Sequence, residues 1–445
     1  MHETSSLDEV FFNLPMKLEA IYQIFLSHPK VTTDSRNIEP DTIFFALKGD
    51  SFNGNLFALT AIEKGASYAI VDDNAFAVHP KILLVENVLQ TLQDLARLHR
   101  QRMGVPILAI TGTNGKTTTK ELTAAVLAKK FNLVATRGNL NNHIGVPLTL
   151  LRLTTDTEFG VIEMGANHPG EIDELCRIAL PDCGLITNVG SAHLEGFGSF
   201  EGVIQTKTEL YRFLEHHSGT VFINQSNPLL TKRIGAVKAV GYTVLKNDDG
   251  LEGEIVGTDP FLVFKALFPK GWLYIKTNLV GSYNLENALA AATIGLHFGI
   301  DPIEIAAAIE GYQPENNRSQ MVVTARNRLL MDAYNANPSS TRAALENFAS
   351  LQAPKKGVIL GDMLELGRYA QEEHQKIVDY LATLELDLVL LTGPNYSSCN
   401  LPAYFRCYEN STVLSDRLKE ETLSGYLLLI KGSRGMKLET IKPEL

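Results

Sequence analysis

One eight-residue stretch, Thr111-Gly112-Thr113-Asn114-Gly115-Lys116-Thr117-Thr118, constrains the fold of this chain more than any other feature. An apolar run at 105–110 leads into it and a helix-forming run at 116–130 leads out, so it reads as the turn between a buried strand and a helix. At such a junction, backbone N–H groups and the positive end of the helix can wrap a phosphate chain. Glycines are needed because a Cβ would block the close approach of backbone to phosphate. Lys116 supplies charge to the terminal phosphates, and the Thr117 hydroxyl can ligate Mg²⁺. The common form of the phosphate loop would place its first glycine at Ile110, so this loop departs from it there. A Gly-rich turn with an incidental lysine is the alternative, and the strand–loop–helix context argues for a nucleotide site instead.

A chain of 445 residues is too long for one ordinary core, and domains of roughly 100 to 200 residues suggest three here. Between 31 and 85, short apolar runs at 42–47 and 68–71 alternate with turns containing Gly and Asn, as in a small α/β unit closed by a helix at 88–102. Past the phosphate loop, apolar strands are predicted at 159–164, 184–188 and 220–224, separated by helical segments. That alternation predicts a mostly parallel sheet covered on both faces. An Ala-rich helix at 284–298 and a polar linker at 311–320, with Pro314 and paired asparagines, follow. Beyond them, buried strands at 329–333, 357–360, 386–391 and 426–430 predict a Rossmann-like domain. The expected fold class is therefore α/β with three domains, at 1–103, 104–313 and 314–445.

The formal net charge of −10 argues against non-specific binding to nucleic acid or to an anionic membrane, so any phosphate-bearing ligand must be held by local charge. The four cysteines show no C-x-x-C spacing, and reduced thiols in a cytoplasm fit them best. Residues 1–17 lack the pattern of a signal peptide. No apolar run reaches the roughly 18 residues that a membrane-spanning helix needs, so no membrane insertion is expected.

Two residues stand where an open α/β sheet places its ligands, at strand ends. Glu163 lies near the end of the strand at 159–164, shortly before Gly165, and suits Mg²⁺; an ordinary strand-end acid is its other reading. His193 follows the next predicted strand in the same way, although imidazole is an unusual partner for Mg²⁺ and a structural histidine is the other reading.

The stretches 111–118, 163–165, 188–195 and 284–291 together resemble the Mur ligases, in order and in spacing. Further strings resemble the branch of that family that adds D-alanyl-D-alanine to UDP-N-acetylmuramoyl-tripeptide. They are Asp332-Ala333-Tyr334-Asn335-Ala336-Asn337-Pro338, the runs at 360–367 and 139–147, and Thr33-Asp34-Ser35-Arg36. The branch that adds the third amino acid instead resembles Asp-Tyr-Ala-His-Thr-Pro in the corresponding region, and its Asp-Asn-Pro-Arg string is absent here. A different Mur-type ligase, or the related folylpolyglutamate synthase, is the nearest enzymatic rival, and a nucleotide-binding switch is the rival from another class.

The resemblance implies roles for individual residues. ATP would be held by Gly112, Thr113, Asn114, Gly115, Lys116, Thr117 and Thr118, with Asn284 and Asn287 at adenine, Arg318 at the phosphates and Asp332 at the ribose. Mg²⁺ would be held by Thr117, Glu163, His193 and Lys207, the last as a carbamate, and Lys116, Lys207, His193 and Glu163 would be the catalytic set. A helix-surface lysine paired with Glu209 or Glu201 is the other reading of Lys207. Ser35, Arg36, Lys48, Asn139 and Asn142 would bind the UDP-muramoyl acceptor, and His374 and Asp362 are weaker candidates for the dipeptide side. A cytoplasmic monomer using ATP and Mg²⁺ is expected, with 1–103 as UDP- and acceptor-binding domain, 104–313 as ATP-binding domain and 314–445 closing over ATP and binding the dipeptide.

Overall fold

The computed structural model describes residues 15–244, 250–315 and 318–445. The first residues of the expected N-terminal domain, and Asn316 and Asn317 of the expected linker, lie outside that range. The chain divides into two compact units. One takes in the chain up to Ala109 with Phe131–Gly165 and Glu171–Cys183; the other takes in Ile110–Lys130, Ala166–Gly170 and Gly184–Leu445.

In the first unit, the strands Lys30–Thr32, Thr42–Phe45, Tyr68–Val71 and Ile82–Leu84 form an all-parallel sheet in that order. Phe44, Ala69, Val71 and Ile82 pack there with Ala58 and Ala61 of the following helix. The helix Val88–Met103 starts where the Asn87 side chain accepts the Gln90 N–H at 2.8 Å, and it stops at Gly104, whose φ of 64° is a left-handed conformation open to glycine. It is anchored from inside: Arg100 donates to Asp182 at 2.8 Å and to the Ala179 carbonyl at 3.1 Å. The strands Leu133–Ala135 and Phe159–Glu163 pair in parallel in the same unit.

In the second unit, Thr220–Asn224 lies beside Cys183–Ile186 and pairs in parallel with Lys238–Thr243. Leu251–Gly257, Val263–Phe268 and Gly271–Lys276 then complete this side as antiparallel neighbours. Sequence reading expected none of these last strands. In Val263–Phe268 and Gly271–Lys276 side chains alternate between burial and solvent, and Leu251–Gly257 passes from buried to exposed halfway along, so Trp272, Tyr274 and Ile255 are exposed while Phe264, Ala266 and Ile275 are buried, and no continuous apolar run marks them. The Ala-rich helix Asn284–His297 is buried along most of its length against the helix Lys116–Leu127. Its small residues let the two backbones come close.

The remaining sheet orders Gln320–Val323, Arg328–Asp332, Leu427–Lys431, Lys356–Gly361, Leu388–Thr392 and Arg406–Tyr408. Every pair but the first is parallel, and helices cover both faces, as the Rossmann-like expectation requires. The four predicted strands fall here within a residue or two. Between the helix Pro302–Gly311 and the strand Gln320–Val323, the described residues have no regular structure, in keeping with the expected linker.

Candidate nucleotide site

The strand Ile107–Thr111 runs into the Gly-rich loop, and the helix opens at Lys116. Two of the glycines are dictated by what lies beside them. Gly112 has φ 139° and a Cβ there would stand 2.0 Å from Thr187 Oγ1; Gly115 has φ 78° and a Cβ would stand 2.6 Å from Asn287 Oδ1. The segment after Cys183–Ile186 holds the loop in shape. Thr113 N–H donates to the Asn188 carbonyl at 2.9 Å, Asn114 N–H donates to Asn188 Oδ1 at 2.9 Å, and Thr187 Oγ1 donates to the Asn114 carbonyl at 2.6 Å. Lys116 Nζ folds back to the carbonyls of Gly112 at 2.8 Å and Thr113 at 2.9 Å, which places its charge over the loop. Thr117 is buried at the first turn of the helix, and Thr118 is half-buried.

Asn284 and Asn287 form a buried relay beside this loop. Asn287 Nδ2 donates to Asn284 Oδ1 at 2.8 Å, Asn287 Oδ1 accepts from Thr119 Oγ1 at 3.0 Å, and Asn284 Nδ2 donates to the Val280 carbonyl at 2.9 Å. In the C-terminal sheet, Asp332 accepts from Lys431 Nζ at 2.6 Å and from the Ser319 N–H at 3.2 Å. The Arg318 guanidinium lies 3.7 Å over the Tyr334 ring, and that of Arg434 lies 5.3 Å from its centre. Asn337 Nδ2 reaches the phosphate loop itself, 2.8 Å from Asn114 Oδ1. Sequence reading missed Lys431, Asn337 and Ser339 as site residues, although Asn337 lies inside the Asp332–Pro338 string.

His193 Nδ1 lies against a Glu365 carboxylate oxygen, each residue in a left-handed backbone conformation, with φ of 52° and 64°. The hydrogen bond from His193 holds the Glu365 carboxyl below the usual carboxylate range. Lys207 is 2% exposed, with Nζ 3.4 Å from the Ala166 carbonyl and 5.5 Å from the centre of the Phe197 ring. The surface-lysine reading is thereby corrected. Lys207 is buried rather than on the helix surface; Glu201 pairs with Arg233 at 2.9 Å, and Glu209 accepts the Gly170 N–H at 2.9 Å.

In the first unit, Glu163 is buried at its strand end. Its Oε1 accepts from Asn141 Nδ2 at 2.8 Å, and its N–H donates to Thr136 Oγ1 at 3.0 Å. Asn142 Oδ1 takes the N–H groups of Ile144 and Gly145, and Asn139 is exposed. Arg36 forks onto Asp34 at 2.9 and 2.8 Å, which holds that carboxyl down to about 2. Lys48 pairs with Asp72 at 2.9 Å, and the Ser35 carbonyl accepts from Lys64 at 3.0 Å.

Three Mur ligase models match the chain: the family's catalytic domain at 30–100, its middle domain at 110–295 and its glutamate ligase domain at 317–434. The UDP-N-acetylmuramoyl-tripeptide--D-alanyl-D-alanine ligase of Bacillus subtilis is 34% identical over 428 residues, which cover 93% of this chain and 92% of that protein. The chain belongs to the Mur ligase family. Among solved structures, MurF from Acinetobacter baumannii superposes on this Mur ligase with a TM-score of 0.83 at 29% identity, covering 94% of this chain and 93% of that one. MurF ligase from Thermotoga maritima in complex with ADP does so with a TM-score of 0.82 at 25% identity, covering 94% and 97%. The α/β fold with N-terminal, central and C-terminal domains is therefore that of the Mur ligases.

Two weaker candidates in this Mur ligase prove to be interior. Asp362 is fully buried and accepts the N–H groups of Asn395 at 2.9 Å and Tyr396 at 3.1 Å. His374, equally buried, takes the Met363 N–H on Nε2 at 2.9 Å and bonds the Ala370 carbonyl through Nδ1 at 2.6 Å. Both ring nitrogens are satisfied by backbone, and burial pushes the imidazole pKa down, so it stays neutral.

Proposed function

We propose that this Mur ligase joins the amine of D-alanyl-D-alanine to the terminal carboxylate of UDP-N-acetylmuramoyl-tripeptide, in peptidoglycan precursor synthesis. ATP is converted to ADP and phosphate. The observation that carries this reading is the near full-length identity of 34% to a ligase of that name.

A carboxylate does not acylate an amine in water without a better leaving group. Transfer of the γ-phosphoryl of ATP to the carboxylate oxygen makes an acyl phosphate. The amine then attacks the acyl carbon, loses a proton, and phosphate leaves. No covalent protein nucleophile is required, so the chain's own task is positioning and charge stabilisation. The loop at 112–118 binds the phosphates, and Lys116, already held over the loop carbonyls, releases them to stabilise the transferring group. Asn284 and Asn287 flank adenine, Asp332 receives the ribose, and Arg318, stacked on Tyr334, turns toward the phosphates.

Mg²⁺ fits the donors offered. The Thr117 hydroxyl and the buried Glu163 carboxylate are oxygen ligands of the kind a hard cation takes, and one or two carboxylates with substrate phosphates usually suffice. Among the described residues no cluster of three or more His, Cys, Asp and Glu could hold a metal. His193, with Nδ1 on Glu365, and Lys207 complete the set, Lys207 as a carbamate. Burial supports that modification because an ammonium is costly away from water, whereas a carbamate offers anionic oxygens. When bound, the metal offsets the charge of the phosphates.

The acceptor's nucleotide end is assigned to residues 1–103, through Ser35, Arg36 and Lys48, with Asn139 and Asn142 along the muramoyl peptide. Residues 104–313 bind ATP and 314–445 close the site. No described helix is long and apolar enough to cross a membrane, and the reading places a monomer in the cytoplasm. Phosphate release tests it: it should rise from baseline only when ATP, UDP-muramoyl-tripeptide and D-alanyl-D-alanine are all present. Release that ignores the amine would reject the ligase reading in favour of a nucleotide switch.

A further inference from the structure

Asn114 sits at the tip of the phosphate loop, and its peptide groups are committed to the neighbouring segment. The N–H donates to Asn188 Oδ1, and the carbonyl accepts from Thr187 Oγ1 and from Asn188 Nδ2 at 3.1 Å. Its side chain reaches the other way, to the start of the helix Pro338–Ser350. Asn114 Nδ2 donates to Ser339 Oγ at 2.9 Å, Ser339 Oγ donates to Asn337 Oδ1 at 2.9 Å, and Asn337 Nδ2 donates back to Asn114 Oδ1 at 2.8 Å. The three bonds close a ring in which each group donates once and accepts once, and such cyclic networks polarise one another. Packing agrees with the bonding. A Cβ on Gly190 would stand 2.9 Å from Ser339 Oγ, so Ser339 would have to shift, and 3.5 Å from Thr113 Cγ2, an ordinary contact.

Asn337 has a second task on the same side chain. As N-cap it accepts the Ser340 N–H at 2.8 Å, which any capping residue could do. Capping explains neither the Nδ2 bond to Asn114 nor the approach of Ser339 to the loop. We propose that Asn337 and Ser339 are positioning residues for ATP: through Asn114 they hold the phosphate loop in its nucleotide-receiving shape, so the C-terminal helix sets the affinity of the loop. The proposal deepens the ATP reading and rests on it. It also gives the Asn-Ala-Asn-Pro part of the string at 332–338 a physical purpose, since Pro338 opens the helix and Asn337 both caps it and grips the loop.

Asn337→Ser separates the two tasks, because serine still caps but cannot reach Asn114. The experiment is equilibrium titration of the full chain with Mg²⁺ and a fluorescent ATP analogue, joined to steady-state kinetics. Asn337→Ser and Ser339→Ala should each weaken nucleotide binding about three- to tenfold, the range of one net hydrogen bond, and raise the KM for ATP with kcat within about twofold. Asn114→Ala should show a similar loss, and adding Asn337→Ser to it should weaken binding no further. Gly190→Ala, which pushes on Ser339 without touching the cap, should mimic Asn337→Ser. A cap-only role predicts normal nucleotide affinity in Asn337→Ser, or losses that multiply in the double variant, and either result would overturn the proposal. If the unmodified chain binds no ATP analogue, the ATP reading falls and takes the proposal with it. If that chain binds while the variants bind equally well, only the proposal falls.

Discussion

Lys431 is 3% exposed and its ammonium lies 2.6 Å from Asp332 Oδ2. Removing one partner of a buried pair leaves the other charge uncompensated, at about 3–5 kcal/mol, whereas replacing both by apolar groups is often nearly neutral. The Asp332 side chain keeps 18% of its surface, so about 2–3 kcal/mol is the better figure here. Asp332→Ala should therefore lower the thermal midpoint and raise the KM for ATP, and adding Lys431→Met should recover the midpoint but not the KM. Thermal unfolding beside ATP titration decides: an unshifted midpoint in Asp332→Ala removes the ion pair from the account, and a restored KM in the double variant removes the ribose contact. Asp332 was singled out through the family resemblance of the string it opens. Its partner comes from a strand 99 residues on, and Asn337 finds Asn114 across 223, so no local pattern could name either contact. The burial of His374 and Asp362 was not legible, because polar residues look alike in sequence whether they stand at the surface or satisfy buried backbone.

At the scale of elements, close approach decides where propensity would mislead. Gly295 lies inside the helix Asn284–His297, where alanine would gain about 1 kcal/mol in helix propensity. A Cβ there would meet Val126 Cγ1 at 2.5 Å and Ile305 Cδ1 at 3.1 Å, and overpacking a filled core costs about 1–3 kcal/mol. Overpacking should win, so Gly295→Ala is expected to lose up to about 2 kcal/mol in urea unfolding; a stabilised variant would show that the helices can part freely. The same physics explains which elements could be read in advance. Strands buried on both faces, such as Lys356–Gly361 and Leu427–Lys431, are continuous apolar runs, and the helix after the loop follows from its motif. The strands Val263–Phe268 and Gly271–Lys276 keep one face in solvent, and their period-two burial, with the apolar Trp272 and Tyr274 on the exposed face, hides from a search for apolar runs.

For the whole molecule, a chain of net charge −10 binds two polyanionic substrates only by concentrating cationic and dipolar groups locally. Lys116 over its loop and the helix that opens at the same residue meet that need for ATP. On the proposed acceptor side, Arg36 and Lys48 are paired with Asp34 and Asp72, and under that proposal they would exchange those partners for the ligand. The central claim is that the bond formed joins a dipeptide amine to a peptide carboxylate. Mass spectrometry of products, after incubation with ATP, Mg²⁺, a panel of UDP-muramoyl peptides and several amino acids and dipeptides, tests it most directly. The account predicts one product, the UDP-muramoyl-tripeptide extended by D-alanyl-D-alanine with loss of one water; a product carrying a single amino acid in its place, or none with the dipeptide, would contradict it.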